Sequence, residues 1–336
     1  MQRFQNILVG VELSSVGPQA AVEPSSPSRQ ALRRAIWLAG RTGGNLTVFA
    51  TLDVPPFVQA LLQQQMEQTP HDLAQEAGQI LERFVAEAKR DGVQAQSKLA
   101  FGAPWREICR QVQSENHDLV IVGTRDLGHV GRIFFGSTGM KLLRNCPCPV
   151  WVARPDTNWE RLNILVPSDF SDVSLEALRI AVGGGQLVDT QLHLVHALQG
   201  RVGPPAWYGR VPPQMVEDYI AEQHAAAKKK LHDQLARIAG RALQKGVHVH
   251  VIDGPPDEVI LKAIDDLHID LVVMGTSARS GISSLVLGNT TERLISHMKC
   301  SLLAVKPPGF QCPVSLTSEP DVQRPAVLPS PNRPLQ

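Results

Sequence analysis

The stretch Asp118-Leu119-Val120-Ile121-Val122-Gly123-Thr124-Arg125 decides the fold, because it returns later as Asp270-Leu271-Val272-Val273-Met274-Gly275-Thr276-Ser277. Further along, Gly136-Ser137-Thr138 returns as Gly288-Asn289-Thr290, again at an offset of 152 residues. Nearer the start, Ile7-Leu8-Val9-Gly10-Val11-Glu12 matches Ile164-Leu165-Val166-Pro167-Ser168-Asp169 at an offset of 157. Self-similarity at a nearly fixed spacing marks a duplicated domain. The repeated residues are strand ends, glycines and helix starts, the places where open α/β folds build ligand sites.

Within each copy, short runs of Val, Ile and Leu alternate with segments of helical period, the pattern of a parallel sheet covered on both faces. Five strands are expected per copy: near 7–11, 46–51, 94–101, 118–122 and 150–153, then near 163–167, 191–196, 247–253, 271–274 and 302–305. Residues 29–40 place Leu32, Ile36 and Ala39 on one helical face, and 71–90 do the same with Leu73, Ala77, Ile80, Leu81, Phe84 and Ala88. A longer helix is expected from Pro213 to Lys245, with Lys228-Lys229-Lys230 on a solvated face in preference to a binding patch. Gly92, Gly183 and Gly246 read as helix stops. The domains are therefore 1–156 and 161–308, followed by a Pro-rich tail, 309–336, that lacks periodicity and is expected to be disordered.

A chain of 336 residues has room for two cores of roughly 150 residues each. Lys and Arg total 33 against 32 Asp and Glu, a net charge of +1, with no long basic block, so a nucleic-acid partner is not expected. The first apolar run is only strand length and ends at Glu12, which reads as a first strand and not a signal peptide. No apolar window reaches membrane-span length. Five cysteines without a disulfide-like framework suit reduced thiols and a cytoplasmic location.

A strand ending in glycine, then a loop, then a second glycine with a hydroxyl or amide residue opening a helix is suited to phosphate. Glycine lets the backbone approach the anion, and the free N–H groups and dipole of the helix stabilise it. Gly275 with Gly288-Asn289-Thr290 fits this description, and so does Gly123 with Gly136-Ser137-Thr138. No Walker sequence occurs in either copy. A structural reading stands beside the functional one: the glycines only let a helix pack on the sheet, and Asp169 only caps the helix that starts near Ser171.

Other groups also have two readings. His248 and His250 alternate with valines and share one face of a strand, but two imidazoles without a third ligand favour a solvated sheet edge over zinc. Cys146-Pro147-Cys148 is read as a tight strand entry in preference to a redox pair, because the proline is rigid. Neither a nucleophile elbow nor a convincing acid–base pair is present.

With Pro167-x-Asp169, Gly254-Pro255 and Gly275-x-x-Ala278-x9-Gly288-Asn289-Thr290, the second copy resembles the universal stress protein family, whose nucleotide motif is Gly-x2-Gly-x9-Gly-(Ser/Thr). Both copies resemble it, up to about Pro308, and the order of halves and the ending from Cys300 to Phe310 are similar to the tandem, E-type bacterial members. The resemblance implies a five-stranded parallel sheet of order 3-2-1-4-5 in each domain, in the class of adenine nucleotide alpha hydrolase-like folds. The two domains would pair through their last strands as an internal pseudo-dimer; a homodimer of chains is the alternative. The implied ligand is a nucleotide such as ATP, with magnesium beside it. Asp169 and Ala197 would lie near the adenine, Gly275, Gly288, Asn289 and Thr290 near the ribose and phosphates, with Pro167 and Ala278 as further positions of the binding motif. In the first domain the matching positions are Gly123, Gly136, Ser137 and Thr138. There Asp126 replaces the motif's second glycine, and Gly10 and Glu12 replace its Pro and Asp, so the second domain is the better nucleotide candidate. The family implies a role in survival under starvation, oxidative and DNA-damaging stress, and a non-catalytic, ligand-binding protein is the first reading. A slow ATP hydrolase or nucleotidyl transferase relying on Asp169, or a scaffold for a protein or lipid-like ligand, are the alternatives.

Overall fold

The computed structural model describes residues 4–13, 25–53, 70–126, 133–154, 161–185, 189–199, 211–238, 246–276 and 289–316. Ten strands form one sheet. In the first domain these are β1 (Asn6–Gly10), β2 (Asn45–Leu52), β3 (Ala95–Phe101), β4 (Leu119–Gly123) and β7 (Val150–Ala153). In the second they are β8 (Arg161–Pro167), β9 (Asp189–Leu198), β10 (Val247–Asp253), β11 (Leu271–Gly275) and β12 (Ser301–Val305). The sheet runs β10-β9-β8-β11-β12-β7-β4-β1-β2-β3, so each half is wound 3-2-1-4-5 and the halves meet at their last strands. A two-stranded ribbon, β5 (Arg125–Asp126) with β6 (Ile133–Phe134), follows β4 and was not legible in the sequence.

Pairing within each half is parallel, whereas β7 and β12 run antiparallel, with Trp151 opposite Leu303. That junction buries the edge each half would otherwise expose, which is how a tandem chain satisfies a strand-pairing surface internally. Arg154 N–H donates to Ser301 Oγ at 3.1 Å beside it, and Arg144 pairs with Glu292 at 2.8 Å. The core is shared too. One buried face of the sheet joins Ile7, Val9 and Trp151 to Ile164, Val166 and Leu303, and the other joins Leu8, Val120 and Val152 to Leu165, Val272 and Leu302.

Helices cover both faces: α1 (Ser26–Thr42), α2 (Pro70–Arg90), α3 (Pro104–Glu115) and α4 (Gly136–Asn145), then α5 (Asp172–Gly184), α6 (Pro213–Ile238), α7 (Pro256–Asp266) and α8 (Asn289–Ile295). Ser25 caps α1, its Oγ accepting from Ser28 N–H, and a left-handed Gly43 ends it. Ser171 caps α5 in the same way, accepting from Ser174 N–H at 3.3 Å.

Several expectations are corrected. Asp169 does not cap α5; its carboxylate folds back one step earlier and accepts from the Ser171 N–H at 3.0 Å and the Ser171 hydroxyl. Gly183 lies inside α5, which stops at Gly185. The described part of α6 ends at Ile238, the expected continuation to Lys245 lies outside the described residues, and lysines 228–230 are exposed as expected. The tail is ordered at its start: residues 309–316 pack back on the first domain, burying Val314, while 317–336 lie outside the described residues.

Candidate ligand cleft

In a sheet of this order the first and fourth strands diverge into helices on opposite faces, and a crevice opens beyond their carboxyl ends. In the first domain that crevice is a cavity of about 340 Å³ at the ends of β1 and β4. Phe49, Ile108, Val122 and Phe135, members of one buried cluster, form an apolar wall, and Glu12, Ser28, Thr51 and Asp53 supply polar groups. Gly136, Ser137, Thr138 and Gly139, the first turn of α4, close the far end. The volume falls at the small end of the range for small-molecule sites, about 300–1,000 Å³.

The anion-accepting end is built from backbone. Gly136 has φ +60°, and a β-carbon there would meet nothing within 4 Å, so the chain turns into α4 without a side chain over the helix start. No side chain caps α4, whose first turn lines the cavity, so the N–H groups of that turn lack a capping side chain at the cavity edge. The opposite wall is set by serines. Ser28, 4% exposed, receives the Glu12 N–H at 2.7 Å and the Ser25 hydroxyl at 3.0 Å, fixing where the Glu12 backbone leaves β1. Sequence reasoning missed Ser25 and Ser28, although serines three apart at a helix start are a legible capping signal.

Gly123 and Gly275 serve the structural role. A β-carbon on Gly123 would sit 2.2 Å from the Pro27 carbonyl oxygen, and one on Gly275 would sit 2.7 Å from Val173 Cγ1. Each glycine lets the first helix of its domain cross the end of the fourth strand; Gly123 also lines the cavity. The threonines that follow extend the sheet, Thr124 N–H donating to Ala153 and Thr276 N–H to Val305, both at 3.1 Å.

The second domain gathers Pro167, Asp169, Ala197 and Gly275 at the corresponding strand ends. Ser168 is buried there and donates to Gln234 Oε1 at 2.8 Å; its carbonyl lies 2.8 Å from His196 Nδ1, whose ring packs 4.2 Å from Phe170. Ala278 and Gly288 lie outside the described residues, as do the side chains of Asp126, Asn289 and Thr290. A larger hollow, about 430 Å³, lies between α1 and α2 beside Arg33, Trp37 and Glu87, but it is a groove on the helical layer away from the strand ends. The histidine pair gains a third ring, since His193 Nδ1 lies 3.2 Å from His250 Nε2 and stacks on His248 at 5.0 Å. Burial, with His250 and His248 nearby, lowers His193 to about 4. Among the described residues no set of three His, Cys, Asp or Glu side chains is arranged to hold a metal ion, and none of the described helices is long and apolar enough to cross a membrane.

Comparison with known proteins agrees with the duplicated architecture. The family model described as "Universal stress protein family" matches residues 3–154 and again 160–306. The chain is 30% identical over 340 residues to universal stress protein E of Escherichia coli strain K12, covering 96% of this chain and all of that one. It is 27% identical over 342 residues to universal stress protein E of Photorhabdus laumondii, covering 95% and 100%. Among solved structures, a protein of unknown function from Pseudomonas aeruginosa PAO1 superposes with a TM-score of 0.62 at 21% identity, covering 91% of this chain and 94% of that one. A universal stress protein from Archaeoglobus fulgidus does so with a TM-score of 0.61 at 18% identity, covering 90% and 98%; these two likenesses speak to the fold. Two matched domains, and relatives aligned from end to end, place this chain in the universal stress protein family as a tandem member similar to the E-type proteins.

Proposed function

We propose that this protein is a non-catalytic, cytoplasmic stress-response protein that binds an adenine nucleotide or a closely related phosphorylated small molecule at the strand ends. Its contribution to survival, including under DNA-damaging conditions, would come from a ligand-dependent surface and not from turnover. The observation that carries the reading is the cavity at the ends of β1 and β4, apolar on one wall and closed by the uncapped first turn of α4. A planar base suits the wall of Phe49, Ile108 and Phe135; a phosphate suits the N–H groups of Ser137 and Thr138. The second domain is proposed to hold the same kind of ligand between Asp169 and the motif residues Ala278, Gly288, Asn289 and Thr290, with magnesium accompanying a triphosphate.

The test is to purify the full chain natively, denature it and identify released small molecules by mass spectrometry, with a thermal-shift panel of nucleotides alongside. Ser137→Glu sets a carboxylate at the exposed start of α4, where it suits the helix but opposes a phosphate. That variant should keep its thermal midpoint and bind nucleotide roughly tenfold more weakly, about 1.4 kcal/mol. Asp169→Ala reports on the second site in the same assay. No released ligand, together with no shift for any nucleotide, would sink the reading.

A further inference from the structure

The four cysteines outside β12's approach come together, although they lie at 109, 146, 148 and 312 in the chain. Cys109 on α3 shares one buried cluster with Cys146 and Cys148, Cys312 packs against that cluster, and Cys146 Sγ lies 3.7 Å from Cys148 Sγ. Cys109, Cys146 and Cys148 are buried, whereas Cys312 is half-buried and offers a route from solvent. The segment carrying Cys312 has already left the second domain and is bound to the first. Gln113 Nε2 donates to the Val314 carbonyl at 3.0 Å, and Arg110 Nε donates to the Ser315 carbonyl at 3.2 Å. Lys306 enters the first domain from the other side of the segment, donating to the Leu143 carbonyl and, at 3.0 Å, to that of Arg144, with Phe310 under its ammonium at 4.6 Å.

From this juxtaposition we propose that Cys312 and Cys109 are a hydroperoxide-oxidised pair, whose disulfide fastens the segment after β12 to α3 of the first domain. The inference is independent of the nucleotide reading. The chemistry matches the surroundings. The hydrogen bond from Cys109 pulls the Cys312 thiol down to about 7, with the Lys306 ammonium helping, so much of it is thiolate at neutral pH. Cys109 is pushed up by its neighbours Cys146 and Cys312, so it rests as a thiol and gives up its proton to the departing hydroxide as it attacks. Cys300, whose thiol burial pushes up to about 12, is the inert contrast.

The steps balance. The Cys312 thiolate attacks the terminal oxygen of a hydroperoxide, the O–O bond breaks, and the departing alkoxide or hydroxide takes a proton from water, leaving a sulfenic acid. Cys109 sulfur then attacks the sulfenic sulfur; the S–O bond breaks and the hydroxide leaves with the Cys109 proton as water. Two thiols lose two electrons and the peroxide gains them. Cys146 and Cys148 are less suited to this step, because both are buried and Pro147 stiffens the two-residue span between them. The bond would form next to the cleft, since Ile108, the residue before Cys109, lines it.

The full-length protein is treated with limited hydrogen peroxide, alkylated, digested without reductant and mapped by mass spectrometry, with zinc measured beforehand. The expected result is a Cys109–Cys312 linked peptide, a fall from five alkylated thiols to three, a linking rate that rises through pH 7, and a thermal midpoint that falls on adding a thiol reductant. Cys312→Ser, at a half-exposed position that tolerates the change, should lose the link and keep the reduced protein's midpoint; Cys300→Ser should link as the parent does. A Cys146–Cys148 link in its place, Cys312 oxidised to sulfinic acid with Cys109 still free, or one zinc per chain with unreactive thiols would each overturn the proposal.

Discussion

Asp118 and Asp270, 152 residues apart, hold the starts of the first strands of their domains in the same way. Asp118 carboxylate oxygens accept from Gln5 N–H at 2.7 Å and Asn6 N–H at 3.1 Å, and Asp270 accepts from Asn163 N–H at 2.9 Å. The asparagines return the contact: Asn6 donates to the Glu115 carbonyl and Asn163 to that of His268, each next to a left-handed residue, Asn116 or His268 itself, that ends the preceding helix. Asp118→Ala and Asp270→Ala should each cost roughly 1–3 kcal/mol, because partly buried backbone donors lose a charged acceptor. Urea denaturation of each variant measures it. Burial lowers the guanidinium of Arg34 in the first domain to about 8 against the pull of the Asp270 charge, so loss of Asp270 should remove an electrostatic attraction between the domains. Parent-like stability in both variants would contradict the shared clamp.

Gly275→Ala should destabilise the second domain by about 1–3 kcal/mol, since the added methyl would stand 2.7 Å from Val173 Cγ1. Val173→Ala in the same chain should recover much of that loss. If the double variant were no more stable than the single one, a constraint other than helix packing would act on Gly275.

Stability should fall in mild acid because of His193. Its folded-state value, lowered to about 4, lies below the ordinary 6.5, so its contribution is present above 6.5 and is lost as pH falls through 4. Cross-strand pairing puts it directly opposite His248. Thermal midpoints from pH 7 to pH 4 should drop, and His193→Gln should flatten the drop. An unchanged slope in the variant would assign the acid sensitivity elsewhere.

Lys306→Met should cost roughly 1–3 kcal/mol, because it strips the ammonium from the Leu143 and Arg144 carbonyls at the end of α4. It should also slow peroxide linkage at neutral pH, since the ammonium lowers the Cys312 thiol. Alkylation rates across pH 6–9 give the second readout, which a purely structural lysine would leave alone.

The amino-acid order by itself determined the duplicated α/β architecture. Strand and helix periods are local properties, so the runs at Leu119–Gly123 and Leu271–Gly275 declared themselves without any long-range information. The capping geometry was only half legible: Ser171 and Asp169 were both visible, but the backbone turn at Phe170, with φ 67°, decided which oxygen reached which N–H. Tertiary structure alone decided what lay far apart in the chain. It turned Gly123 and Gly275 into helix-packing positions, because the crossing helix arrives from a distant segment. It set His193 beside the two histidines of β10, and it brought Cys312 to Cys109 by laying the chain after β12 across α3. Contacts of that kind join residues far apart in the chain, within one domain or across both, and no local pattern of residues encodes them.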